Sequence, residues 1–418
     1  MTTLVRALRG RVAGAVAAQA TQALGGLVLQ VAAARSLGAS GLAGFALVYG
    51  AIVLVTAVSS GLVGDSLTVL DRQERGVRAA LHVWAAALAG AMGLAGAAVC
   101  ALSGLTRPGE AVLIGLAAAA FMVEDLLRRL LMAAGRFWAL PAVDLVALAG
   151  ALAVLVLAAT RGGLVLGDFV LALLAGQLLA AGVAWWRLPA LERPAGPWRR
   201  PALRAVWAFG VYRAAAQVIR PALLTLLRLL VITAAGAAAY GPIEAARVVT
   251  APTLLVVGGL GSFLLPWFVA GRESPAAGLR SADRAASGLV MVVALLGIAA
   301  VGFLPWLAPL LTGGTFAVPA TAVAGWSLYA VASALLLPYA AMAAAHHQQR
   351  RVLALRSLEL LSLAAVGVLV LMVPGGAVWA PAALAIGPVL AAAAVRRSVL
   401  CPLVTRSRPR DLAPVPSA

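Results

Sequence analysis

Lysine does not occur in this chain of 418 residues, and charged side chains of any kind fill only 11% of positions. A Walker-type nucleotide site needs its lysine, so this absence excludes an ATP-driven pump built from this chain alone. Two cysteines and three histidines supply neither a disulfide framework nor a metal-ligand spacing. We therefore expect no cofactor and no metal, and we predict that the chain is not an enzyme.

Apolar side chains are abundant instead, at 63% of positions, with a mean hydropathy of +1.02. The apolar runs are about 20 residues long, which matches a bilayer core of roughly 30 Å. A chain in lipid must satisfy its backbone internally, and continuous runs rich in Ala, Leu and Gly indicate helices and not a barrel. The predicted fold class is all-α, a polytopic membrane protein with about twelve transmembrane helices.

Turn signals divide the apolar runs into spans. We place the spans near residues 12–34, 42–64, 79–103, 111–132, 139–160, 166–186, 205–234, 238–268, 286–311, 316–345, 352–373 and 377–395. The turns contain glycine, at residues 35–41, 106–109, 161–163, 313–314 and 374–376. The first run resembles a signal peptide, but its length and Gln19, Gln22 and Gln30 favour a retained span.

The arginines alternate from loop to loop. One side holds 25 of the 32, among them Arg128 and Arg129, whereas the other side holds only Arg35, Arg107 and Arg161. By the positive-inside rule the rich side is cytoplasmic, so an even number of spans puts both termini in the cytoplasm and the chain in the cell membrane. We expect the three histidines to face lipid headgroups, and no nucleic acid partner, because the charge is dispersed over many loops.

A long connection on the arginine-rich side contains Pro189, Pro194, Pro197 and Pro201, which is typical of a linker. It divides the chain into an N-terminal six-helix lobe at 1–190, a cytoplasmic linker at 191–204, a C-terminal six-helix lobe at 205–396 and a cytoplasmic tail at 397–418. The stretch from Trp198 to Trp207 is either an amphipathic segment at the membrane surface or an ordinary loop.

Four arginines depart from the loop rule and lie within spans seven and eight. Arg213, Arg220 and Arg228 are spaced by 7 and 8 residues, so they project into one sector of a helix, and Arg247 follows in the next span. An arginine at the bilayer centre costs roughly 2.5–3.5 kcal/mol, so it faces a partner, a cavity or a ligand. We predict that these four contact an anionic cargo. Glu244, Glu124 and Asp125 are candidates for ion pairing or ion coupling.

Short motifs resemble the polysaccharide-export and O-antigen-type flippases of the multidrug/oligosaccharidyl-lipid/polysaccharide (MOP) exporter superfamily. The motifs are Arg128-Arg129-Leu130-Leu131-Met132-Ala133-Ala134-Gly135-Arg136 with Asp144 after it, the turn from Ala34 to Phe45, and the run from Arg228 to Gly241 that leads into a long span. Many members place an Asp just before the position of Arg228, where this chain has Leu227. That departure puts an ion-coupling role borrowed from the family in doubt.

The resemblance implies two six-helix lobes of the MATE/MOP type around a central cavity, and a lipid-diphosphate-linked glycan flipped by alternating access. The implied partners are this glycan, membrane lipids, and glycosyltransferases or a polymerase of the same pathway. One alternative is a drug/cation antiporter of the same superfamily. Such an antiporter would need acidic residues embedded in the first lobe, and the spans there contain few acidic residues. A second alternative is a major facilitator, because the stretch from Asp71 to Arg78 lies where that family has a signature motif. A third is a membrane scaffold for glycan synthesis.

Overall fold

The computed structural model describes residues 2–102, 108–193, 201–253, 257, 264, 267–268 and 274–406. These residues form helices and their connections, with no strand among them. Nine of the described helices are long and apolar enough to cross a membrane. The predicted all-α class is confirmed, and the chain is a multi-span membrane protein.

Eight helices make up the first part of the described chain. They are α1 (Thr2–Ser59), α2 (Asp65–Val69), α3 (Arg75–Leu102), α4 (Pro108–Ala133), α5 (Ala139–Ala159), α6 (Leu166–Arg187), α7 (Leu203–Ala235) and α8 (Ala237–Val249). The second part contains α9 (Pro275–Gly302), α10 (Leu304–Thr312), α11 (Ala320–Ala345), α12 (Gln349–Arg356), α13 (Ser362–Met372), α14 (Ala380–Leu384), α15 (Ile386–Val395) and α16 (Cys401–Arg406). A π-helical turn at Ser60–Gly64 joins α1 to α2.

Helix α1 is 58 residues long, but it is two spans and not one. At 1.5 Å per residue a straight helix of that length would be roughly 87 Å long, far more than a bilayer is thick. Gly38 interrupts it with φ 66° and ψ −167°, a conformation that a side chain would strain. We call residues 2–37 the first limb of α1 and residues 39–59 its second limb. Gly236, at φ 90°, separates α7 from α8 in the same way.

The predicted spans agree with α3 to α7 to within a few residues. The predicted eighth span begins with α8, and most of its second half lies outside the described residues, as do Trp198, Arg199 and Arg200 of the predicted interfacial segment. At the C-terminal end, helix continues through a π-helical turn at Arg396–Leu400 to Arg406, where the sequence predicted a tail from residue 397. Residues 407–418 of that tail lie outside the described part.

Two compact units can be distinguished in the chain. The first comprises residues 1–248 and 309–317, and the second comprises residues 249–308 and 318–418. In the second unit, α9 and α11 pack together, and Asp283 accepts two hydrogen bonds of 3.0 Å from Arg396. The predicted lobe boundary at residues 191–204 stays a prediction, because contacts in one conformation do not define which helices move together.

The second limb of α1 and its π-helical turn lie directly against α7 within the first unit. A Cβ at Gly61 would overlap the backbone of Ala214, and a Cβ at Gly210 would overlap the backbone of Leu62. Further along, Gly241 of α8 packs against the carbonyl of Ala39. Glycine therefore lets these helices approach with backbone against backbone.

Candidate functional site

The three arginines of α7 lie in three different environments. Arg213 has a side chain 44% exposed and donates to Asp65 over 2.7 Å. Arg228 is 5% exposed and forms an ion pair with Glu244. Arg220, between them, is partly buried and makes no hydrogen bond or ion pair with any residue that the structure describes. The predicted ladder therefore consists of one peripheral pair, one buried pair and one cation without a partner among those residues.

Glu244 is the centre of a polar cluster that joins α7 to α8. Its carboxylate is fully buried and accepts from Arg228 Nη2 at 3.2 Å, from Arg247 Nε at 2.7 Å and from the hydroxyl of Tyr240 at 2.7 Å. The spacings follow from the sequence, since Tyr240, Glu244 and Arg247 are four and three residues apart on one face of α8. A buried carboxylate with this many donors is well satisfied.

Both limbs of α1 contact this cluster. Arg247 Nη2 donates to the side-chain carbonyl of Gln30 in the first limb, at 2.5 Å. In the second limb, Gly50 lies beside Arg228, and its carbonyl accepts from Thr225 of α7 at 3.2 Å. Gln30 was one of the three glutamines that favoured a retained first span, whereas the sequence around Gly50 did not indicate its role.

A separate cavity of about 100 Å³ lies in the first unit, among α1, α4, α5 and α6. Its lining includes Glu124, Asp125 and Asp144 together with Thr21 and Gln177. The cavity therefore has room for several waters or a small ion, since one water needs roughly 10–15 Å³. The buried amide oxygen of Gln177 has no hydrogen-bond partner within the described part.

The carboxylates of this cavity differ in their partners. Asp144 forms a buried ion pair with Arg128 and accepts from Thr21 at 2.7 Å. Asp125 accepts from Arg129 at 2.8 Å. Glu124 is only 8% exposed, yet it forms neither a hydrogen bond nor an ion pair with a described residue.

Two expectations from the sequence are wrong here. Arg128 was counted as a loop residue, but it is 5% exposed inside α4, because Asp144 of α5 supplies a counter-charge 16 residues further along. His82 was expected to face headgroups, but it is 5% exposed in α3. The spans of the predicted first lobe, where few embedded acids were expected, contain two that are buried. Both Glu124 and Asp144 are 8% exposed.

No family model matches the sequence, and no curated protein sequence matches it either. Solved structures do match. An inward-facing multidrug resistance MATE family transporter of the MOP superfamily has a TM-score of 0.73 at 17% identity, over 93% of this chain and 96% of that one. An outward-facing structure of a transporter of that family has a TM-score of 0.62 at 16% identity, over 96% and 97%.

A third similar structure is a MOP superfamily transporter from Pyrococcus furiosus, whose binding pocket is described as having a reverse polarity that suggests a different function. Its TM-score is 0.62 at 14% identity, over 93% of each chain. Identities this low establish the fold alone. The major facilitator alternative, which has a different fold, is therefore set aside. This chain has the fold of the MATE family transporters of the MOP superfamily.

Proposed function

We propose that this protein is a membrane transporter that flips a lipid-diphosphate-linked glycan across the cytoplasmic membrane for polysaccharide export, by alternating access. It is a multi-pass protein of the cell membrane with both termini in the cytoplasm. Its partners are the lipid-linked glycan, membrane lipids, and glycosyltransferases or a polymerase of the same pathway. It needs no cofactor and binds no nucleic acid.

Arg220 is the observation that carries this proposal. A guanidinium within a membrane-spanning helix costs roughly 2.5–3.5 kcal/mol and is normally balanced by a partner. Arg220 has none among the described residues and is only partly buried, so its guanidinium is available to bind a ligand. Because a guanidinium offers donors in a planar fork that matches phosphate oxygens, an anionic diphosphate is a suitable ligand.

Arg228 and Arg247 are proposed as the further anion contacts. Both donate hydrogen bonds to Glu244 in this structure. A bound cargo diphosphate would accept these hydrogen bonds in place of the carboxylate. In this role Glu244 holds both guanidiniums between transport cycles, and its single negative charge leaves the cluster with a net positive charge. The three proposed contacts lie on two consecutive helices, Arg220 and Arg228 on α7 and Arg247 on α8.

The proposal is tested with Arg220→Gln, and Arg161→Gln is the matched control, since Arg161 is an exposed loop arginine. We expect Arg220→Gln to lower surface polysaccharide by about tenfold or more at normal protein abundance, the scale of losing a buried charge partner. We expect Arg161→Gln to leave it unchanged. Purified protein should bind a short-chain polyprenyl diphosphate but not the uncharged polyprenol. Normal export by Arg220→Gln at normal abundance would contradict the site assignment.

A cation-coupled drug exporter of the same superfamily is the second candidate. The cavity beside Glu124 favours it, because buried acids in the first lobe are what such an exporter would need. The two candidates share one feature, an ion-coupling role for this cavity. Glu124 is the better coupling residue, because Asp125 is already neutralised by Arg129. Binding of the polyprenyl diphosphate by the purified protein distinguishes the flippase from the drug exporter.

A further inference from the structure

Asp65, just after the π-helical turn, connects three helices of the first unit. Its Oδ2 accepts from Arg213 Nε at 2.7 Å and from Gln217 Nε2 at 2.9 Å, both on α7. Its Oδ1 lies 3.9 Å from Arg129 Nη1 on α4. Asp65 therefore accepts two hydrogen bonds from α7 on one side and has a second, more distant cation, Arg129, on the other.

The surroundings of Asp65 favour this arrangement. Arg129 packs so closely over Gly64 that a Cβ there would overlap its side chain. Asp125 anchors Arg129 at 2.8 Å and also accepts from Ser60, the first residue of the π-helical turn, at 2.7 Å. π-helical turns are rare and occur often at functional sites.

We propose that Asp65 is a latch that holds α7 against the second limb of α1 and releases it by exchanging Arg213 and Gln217 for Arg129. When α7 withdraws, Asp65 keeps a cationic neighbour, so opening does not leave a carboxylate without a counter-charge. The backbone contact of Gly61 with Ala214 is the joint that opens. Arg213, which the sequence predicted as a cargo contact, then serves this latch.

The latch rests on the proposed function for its purpose, because alternating access requires such a joint to open and close. Its test does not require transport. In a background of Cys100→Ser and Cys401→Ser, Ala214→Cys places one thiol at the buried joint, since Ala214 is 8% exposed. The rate at which a maleimide labels this thiol in the purified protein reports how often the joint opens.

We expect Asp65→Asn to label about 5-fold faster than the parent, the scale of a partly exposed ion pair. Glu192→Gln is the matched control. Glu192 pairs with Arg72, its side chain is 16% exposed against 15% for Asp65, and no hydrogen bond or ion pair described for it reaches α7. It should label at the parent rate.

Removing Arg129, the second cation near Asp65, should slow the labelling of the thiol. The double variant Asp125→Asn with Arg129→Gln removes one cation and its anchor together, while the described donors of Asp65 on α7 remain. We expect about 3-fold slower labelling, for the same electrostatic reason. If Asp65→Asn does not fold, Arg213→Gln with Gln217→Ala breaks the latch from the side of α7 and should label faster.

The latch is overturned if Asp65→Asn labels at the parent rate, or if Glu192→Gln accelerates labelling equally. It is also overturned if the double variant on α4 labels faster than the parent. A labelling response as expected, combined with no binding of polyprenyl diphosphate, would keep the latch and reject the flippase. The two proposals therefore fail separately.

Discussion

Gly50 lies so close to the guanidinium of Arg228 that a side chain of any size at this position would overlap it. The buried ion pair between Arg228 and Glu244 thus depends on Gly50, a residue of another helix that has no side chain with which to bond either partner. Because Gly50 has no Cβ, the guanidinium of Arg228 can occupy this space.

This relationship predicts the effect of Gly50→Ala. The added methyl must displace Arg228 or separate α1 from α7, and overpacking of this kind costs about 1–3 kcal/mol. We expect a lower melting temperature of the purified protein and reduced export. Gly96→Ala is the control, because nothing lies near a Cβ at Gly96 and alanine is the better helix former by about 0.5–1 kcal/mol. Equal melting temperatures for both variants would contradict the close approach.

Glu244→Gln should destabilise the protein strongly. The substitution leaves Arg228 and Arg247 next to a neutral amide, and breaking a buried ion pair by removing one partner costs about 3–5 kcal/mol. The double variant Arg228→Gln with Glu244→Gln should recover most of the lost stability, because it also removes the buried cation. Thermal unfolding of the three proteins checks this. If the double variant is less stable than Glu244→Gln, the pair does not behave as an isolated ion pair.

Arg128 and Asp144 should respond in the same way, but with no effect on cargo binding. Asp144→Asn leaves a buried guanidinium, whereas Arg128→Met with Asp144→Leu replaces the pair by apolar groups of similar volume, which is often neutral or stabilising. We expect the single variant to unfold at a lower temperature and the double variant to unfold near the parent temperature. Binding of polyprenyl diphosphate by the double variant should match that of the parent.

Glu124→Gln should abolish ion coupling without lowering the stability of the protein. Glu124 makes no hydrogen bond or ion pair with a described residue, so its replacement by the isosteric amide breaks no pair. We expect an unchanged or higher melting temperature, together with transport in vesicles that no longer responds to an imposed proton or sodium gradient. Asp125→Asn, which breaks the pair with Arg129, is the comparison and should lower the melting temperature. A gradient response that persists in Glu124→Gln would contradict a coupling role.

The sequence predicted the helices well because hydrophobicity and chain breaks determine where spans lie in a membrane. The turns at Gly38, Gly162, Gly313, Gly314 and Gly375 were all predicted from glycine, and each of these residues has a positive φ. The predicted all-α class is confirmed for the same reason, since apolar runs of bilayer length must satisfy their backbone internally and do so as helices.

The sequence did not predict which charges are buried. Arg128 stands at the end of a span, where an arginine normally reaches the headgroups, and only the packing of α5 against α4 brings Asp144 to it. The pair of Arg213 with Asp65 spans 148 residues, so no local spacing indicates it. Gly50 and Gly61 are two glycines among 43, and their close contacts depend on how α1 meets α7.

The buried charges of α4 also affect how the chain is made. α4 carries Glu124, Asp125, Arg128 and Arg129 within its last ten residues, and it is not among the nine helices apolar enough to cross a membrane alone. These four charges lie at one end of the span, and Arg128 and Glu124 are buried there. Its counter-charge Asp144 is synthesised only with α5. Because Arg128 gains its counter-charge only from α5, we expect α4 and α5 to enter the bilayer together as one hairpin.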